Sequence, residues 1–108
     1  MPTSKMNDVL APNVAHALRY ARRARGVPQD ALEVVSGRTY VSALERGIKQ
    51  PTVGKLAELA AALGIHPLTM MALCYLKRPS ERDVRRLLEK IGDEVAQLVA
   101  AVETDSGH

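Results

Sequence analysis

Val27-Pro28-Gln29-Asp30-Ala31-Leu32-Glu33-Val34-Val35-Ser36-Gly37-Arg38-Thr39-Tyr40-Val41-Ser42-Ala43-Leu44-Glu45-Arg46-Gly47-Ile48-Lys49-Gln50-Pro51 is the stretch from which the rest of the chain is read. It predicts a short helix, a turn marked by Gly37, a second short helix and an exit loop carrying Gly47 and Pro51. Leu32 and Val35 lie three apart in the first helix, and Val41 and Leu44 three apart in the second. Each helix therefore has one narrow apolar edge. Neither can bury that edge alone, so both must pack across the turn and against further helices.

Outward to the N-terminus, Asn13 follows Pro12 and suits the N-cap of a helix running to about Arg25. Val14, Ala17, Leu18 and Ala21 form its apolar stripe, and Gly26 suits the position after its end. Arg19, Arg22, Arg23 and Arg25 crowd the same helix. They read either as a solvated face or as groups facing a polyanion. Residues 1–12 show little periodicity and read as a loose arm.

Outward to the C-terminus, Thr52 suits the cap of a helix to about Leu63, with Val53, Leu56, Leu59, Ala60 and Leu63 as its apolar side. Gly64 closes it. Pro67 sits well at the first position of the next helix, and Leu68, Met71, Ala72 and Tyr75 continue the apolar side. Lys77-Arg78-Pro79 interrupts the pattern, and Ser80 with Asp83 resembles a capping box. A helix over about 81–102 follows. Its Val84, Leu88, Ile91, Val95, Leu98 and Val102 are spaced 4-3-4-3-4, a heptad seam suited to dimerisation, which Leu87 and Val99 widen. A plain amphipathic helix packed on its own domain accounts for the same stripe. The polar residues 103–108 are expected to fray.

Two short helices set steeply across a glycine turn are the helix-turn-helix arrangement. Gln29…Leu32…Gly37…Arg38-Thr39-Tyr40-Val41-Ser42…Leu44-Glu45-Arg46-Gly47…Pro51-Thr52 resembles the lambda-repressor/Cro-like family, also called XRE, over about Leu18 to Leu73. The Leu-Glu-Arg-Gly box followed by Pro-Thr is the most specific part. The resemblance implies an all-α fold, with a five-helix lambda-repressor-like domain over 13–76 and then the long helix within 79–104. It implies double-stranded DNA as partner, and an ion pair between Arg22 and Glu45. Gln29 would anchor to phosphate as its family counterpart does. Two departures are visible. The family has two more residues between Gly37 and the Arg-Thr-Tyr run, and Glu33 stands where it has a small residue.

In such an arrangement the start of the second helix faces base edges in the major groove. Arg38 suits bidentate bonding to guanine, and Thr39 can offer a hydroxyl or a methyl. Ser42 and Ala43, one turn on, would allow close approach. Tyr40, Lys49, Gln50 and Thr52 are expected to join Gln29 at backbone phosphates, contacts that position without reading sequence.

Composition sets the remaining bounds. The chain has 108 residues, no Phe or Trp, three Tyr and a formal charge of +3. Residues 13–64 hold eight Lys/Arg against four Asp/Glu, while 76–108 hold six against seven. A basic front with a near-neutral tail suits a polyanion partner for the front only. Cys74 is the single cysteine, so no intramolecular disulfide forms, and its apolar surroundings suggest an inert thiol. His66 has no ligand-type neighbour at metal spacing. No membrane span or secretory leader is expected, and the default location is the cytoplasm. No catalytic constellation, phosphate loop or metal cluster is apparent, so neither an enzyme nor a cofactor is expected.

Two functions then compete. One is a homodimeric, sequence-specific regulator, most simply a repressor reading a palindromic operator through helix 38–46. The other is an antitoxin or protein-interaction module, binding a toxin or co-regulator, in which the shortened turn impairs DNA reading.

Overall fold

A computed structural model describes residues 12–106, and among these the chain forms six α-helices and no strand. They are α1 (Val14–Ala24), α2 (Gln29–Ser36), α3 (Arg38–Glu45), α4 (Val53–Ala62), α5 (Pro67–Cys74) and α6 (Glu81–Ser106). The expectation of a loose arm over residues 1–12 lies, for residues 1–11, outside the described residues, and Pro12 precedes α1 without belonging to a helix.

Local chemistry sets most boundaries. Asn13 accepts from His16 N–H at 3.0 Å and starts α1. Thr52 Oγ1 accepts from Lys55 N–H at 3.1 Å and starts α4. His66 Nδ1 accepts from Leu68 N–H at 3.0 Å, with Pro67 behind it, and starts α5. Each cap satisfies a backbone N–H that the first turn leaves without a partner.

Residues 12–77 form one compact unit. Within it α2 packs on α3, α1 on α3 and α5, and α4 on α2 and α5. The chain bends by 109° between α4 and α5. The core joins Val14, Ala17, Leu18 and Ala21 of α1 to Leu32 of α2 and to Val41 and Leu44 of α3. Leu56, Leu59, Ala60, Leu63, Met70 and Cys74 complete it. Leucine, valine and alanine fill the space that aromatic side chains occupy elsewhere. Burial pushes the Cys74 thiol up to about 11, so it stays protonated and unreactive near neutrality.

Three parts of the apolar pattern fall differently from the sequence reading. Val35 is exposed, so α2 contributes only Leu32 to the core. Val53 is exposed at the first residue of α4, before the helix has turned its side chains inward. In α5 the buried residues are Met70 and Cys74, while Leu68 is 70% exposed and Tyr75 is exposed as well. α5 is apolar nearly all round, so periodicity cannot fix which side faces in.

Residues 78–106 form a second compact unit, built on α6. Ser80 Oγ accepts from Asp83 N–H at 3.1 Å, and Glu81 and Asp83 lie in the first turn, where the helix dipole favours acids. The helix runs on through Thr104, whose hydroxyl donates to Ala100 O at 2.8 Å, to Ser106. Fraying from residue 103 is thus not observed as far as 106, and 107–108 lie outside the described residues. The 26 residues give a rod of about 39 Å. Leu88, Ile91, Val95, Leu98 and Val102 are all exposed along it. Among the described residues no single helix is long and apolar enough to cross a membrane.

Candidate nucleic-acid interface

α3 divides cleanly into two sides. Val41 and Leu44 are fully buried, and Glu45 follows them inward. Arg38, Thr39 and Arg46 are exposed, and Ser42 is half-buried. Arg38, Ser42 and Arg46 are spaced by four, and Thr39 lies three before Ser42, so these side chains share one outward stripe. Ala43 is only 5% exposed, and its carbonyl accepts from the N–H groups of Ile48 and Lys49 as the chain folds back. Its expected base contact is therefore corrected: position 43 lies among the buried residues of α3, with Val41 and Leu44.

The inner side of α3 is held by two arginines of α1. Arg22 Nε donates to Glu45 Oε2 at 2.8 Å, and Nη2 to Glu45 Oε1 at 3.1 Å. Arg22 Nη1 also donates to Val27 O at 3.1 Å, tying in the loop before α2. Arg19 Nη1 donates to the Glu45 carbonyl, one of the acceptors that a helix C-terminus leaves free. Only Arg23 and Arg25 of the four arginines are fully exposed. Nothing in the residue pattern marks Arg19 beyond its place three residues before Arg22.

α2 and α3 are joined through Gly37 alone, at φ 89° and ψ 145°, a conformation nearly confined to glycine. Gly37 N–H closes α2 by donating to Glu33 O at 2.7 Å, and its carbonyl opens α3 by accepting from Val41 N–H at 3.1 Å. One residue thus serves as the end of one helix and the cap of the next. Ser36 Oγ is buried beside it without a hydrogen-bond partner. No side chain caps α2 or α3. Gln29 is the first residue of α2, at the positive end of its dipole.

Beyond α3, Lys49, Gln50 and Thr52 are exposed in the exit loop. Tyr40 packs partly against the core, and its ring carries Lys49 Nζ at 5.8 Å and Lys55 Nζ at 5.4 Å. Two ammonium groups around one phenol make a basic patch adjoining the outward stripe. Sequence reading missed Lys55. Its signal was a lysine in the first turn of α4, where the helix dipole disfavours a cation. The Thr52 hydroxyl accepts from Lys55 N–H and keeps its own proton free to donate.

Residues 18–69 match the family model described as Helix-turn-helix. Over 46 residues the chain is 50% identical to an uncharacterized HTH-type transcriptional regulator, y4dJ, of Sinorhizobium fredii. That alignment covers 41% of this chain and 60% of the relative, so the chain spans about three-fifths of the relative's length. No solved structure matches the chain. Residues 18–69, with the Leu-Glu-Arg-Gly box anchored on Arg22, thus form a helix-turn-helix segment of the XRE type.

Proposed function

We propose that the chain is a dimeric, sequence-specific DNA-binding regulator, most simply a cytoplasmic repressor whose α3 reads a palindromic operator. The observation that carries this is the outward stripe of α3, where Arg38, Thr39 and Ser42 stand together while Glu45 is clamped from behind. Arg38 and Thr39 read base edges, and Ser42 allows the helix to approach closely. Gln29, Tyr40, Lys49, Gln50 and Thr52 hold the phosphates on either side, with Lys55 added to them. α6 joins two copies. The reading needs neither cofactor nor catalytic group.

The turn favours a second reading. Gly37 bridges α2 and α3 alone, and Val34 and Val35 expose apolar surface just before it. Such a surface suits a protein partner, as in an antitoxin or interaction module. A titration against genomic DNA fragments over a salt series separates the two. A regulator shows preferred fragments and an affinity that falls steeply with salt; an interaction module shows neither.

A further inference from the structure

We propose that α6 pairs antiparallel with α6 of a second copy, with the two-fold axis at the level of Asp93 along the helix. This rests on the dimer reading and adds direction, register and spacing to it. The seam from Leu88 to Val102 is exposed, and α6 has no second helix within its own unit to cover it. A second copy of the same seam supplies matching length and matching 4-3 spacing.

Charge decides the direction. Residues 81–90 carry Arg82, Arg85, Arg86 and Lys90 against Glu81, Asp83 and Glu89. Residues 91–106 carry Asp93, Glu94, Glu103 and Asp105 with no Lys or Arg. A parallel pair in register sets the four acids of one copy beside the same four of the other. The positions that face each other across a parallel seam are Ser80 with Arg85, Leu87 with Gly92, and Glu94 with Val99; none is a pair of opposite charges.

Reversing one helix and keeping the whole seam in contact sets Val84 against Val102, Leu88 against Leu98, and Ile91 against Val95. Residues 81–90, with four basic and three acidic side chains, then lie along residues 91–106 of the other copy, with four acidic and none basic; Arg82 and Arg85 bracket Glu103, while Asp83 lies level with Glu103 and Glu81 with Asp105. The two helix dipoles also oppose.

Gly92 supports the same register. A glycine inside a helix destabilises it relative to alanine. A Cβ added at Gly92 would meet nothing within 4 Å, so no contact in this chain requires its absence. In the antiparallel register Gly92 borders the seam next to the two-fold axis, where a missing side chain lets the second backbone approach.

The spacing follows from the helix rise. Each Glu81 comes level with Asp105 of the other copy, which separates the two α6 N-termini by about 36 Å. A parallel pair would leave the N-termini only ~10 Å apart.

The test is a single nitroxide label on Thr104→Cys in the full chain, with the interchain distance read by pulsed electron resonance. Cys74 is buried and stays in place, and wild-type chain treated with the reagent is the blank. The expected distance is about 33 Å, from the helix rise between residue 104 and its level partner, residue 82. A distance under ~20 Å, as side-by-side parallel helices require, overturns the antiparallel register and leaves the dimer intact. No dipolar coupling, in a protein that light scattering finds monomeric, overturns the register and the dimer together.

Discussion

Arg22 holds Glu45 through two N–H···O bonds, at 2.8 and 3.1 Å, and so fixes the last turn of α1 to the last residue of α3. The arginine side chain is 15% exposed and the carboxylate 4%, so the pair is largely out of water. Arg19 adds a bond to the Glu45 carbonyl from one turn earlier. The inner end of α3 is thereby set by charge-assisted hydrogen bonds as well as by leucine packing, which fixes its rotation. That rotation determines that Arg38, Thr39 and Ser42 face outward.

Removing one partner of this pair leaves the other charge buried. Arg22→Ala or Glu45→Ala should each lower stability by ~3–5 kcal/mol. The double replacement Arg22→Met/Glu45→Leu should cost less than either single change, because no charge is then stranded. Urea unfolding followed by circular dichroism measures all three. Near-additive losses would mean that the two side chains act independently.

Gly37 is the second point of leverage. At φ 89° any L side chain is strained, although there is space around it. Gly37→Ala should therefore destabilise by ~1–3 kcal/mol through backbone strain alone, with no steric clash added. D-alanine at the same position, introduced by chemical ligation, should restore the loss. If Gly37→Ala is neutral in the unfolding midpoint, the single-residue turn relaxes without cost.

Arg38 tests base reading. Arg38→Ala should weaken binding to the preferred site by ~1–3 kcal/mol and relax base preference at one position per half-site. Competition binding on a library with each operator position varied shows both effects. An equal loss on preferred and random DNA would place Arg38 on phosphate only.

The lysines around Tyr40 should behave differently. Lys49→Ala and Lys55→Ala should each weaken all DNA to a similar degree and lower the salt slope by about 1 per protomer. Fluorescence anisotropy between low and moderate salt measures the slope. A slope that does not change with Lys55→Ala would confine its role to the exposed ion pair with Glu58, at 3.1 Å.

What could be read from the sequence follows a physical division. Helix starts were legible because Asn13, Thr52, His66-Pro67 and Ser80 act locally, on N–H groups two or three residues away. The core of α1 was legible because its stripe is narrow and flanked by arginines. The inward face of α5 was not, since its composition is apolar on every side and only tertiary packing selects Met70 and Cys74. Ala43 was misread because alanine suits an inward or an outward position alike, and only tertiary packing buries it. Lys55 was missed because its relation to Tyr40 crosses fifteen positions of sequence and a turn.

The seam of α6 carries the last prediction. Ile91 and Leu98 are exposed mid-helix and stand at the same heptad position, one heptad apart. Changing both to Asp leaves α6 able to form, since each side chain meets water in the isolated chain. In a dimer the same change buries carboxylates without partners, which costs far more than an apolar contact gains. Light scattering should therefore find a monomer, with the far-ultraviolet helical signal largely kept. DNA binding should fall more steeply than from any single contact residue, because the second half-site is no longer engaged intramolecularly. A double variant that stays dimeric and keeps its affinity would remove α6 from the interface and place the contact between copies elsewhere on the chain.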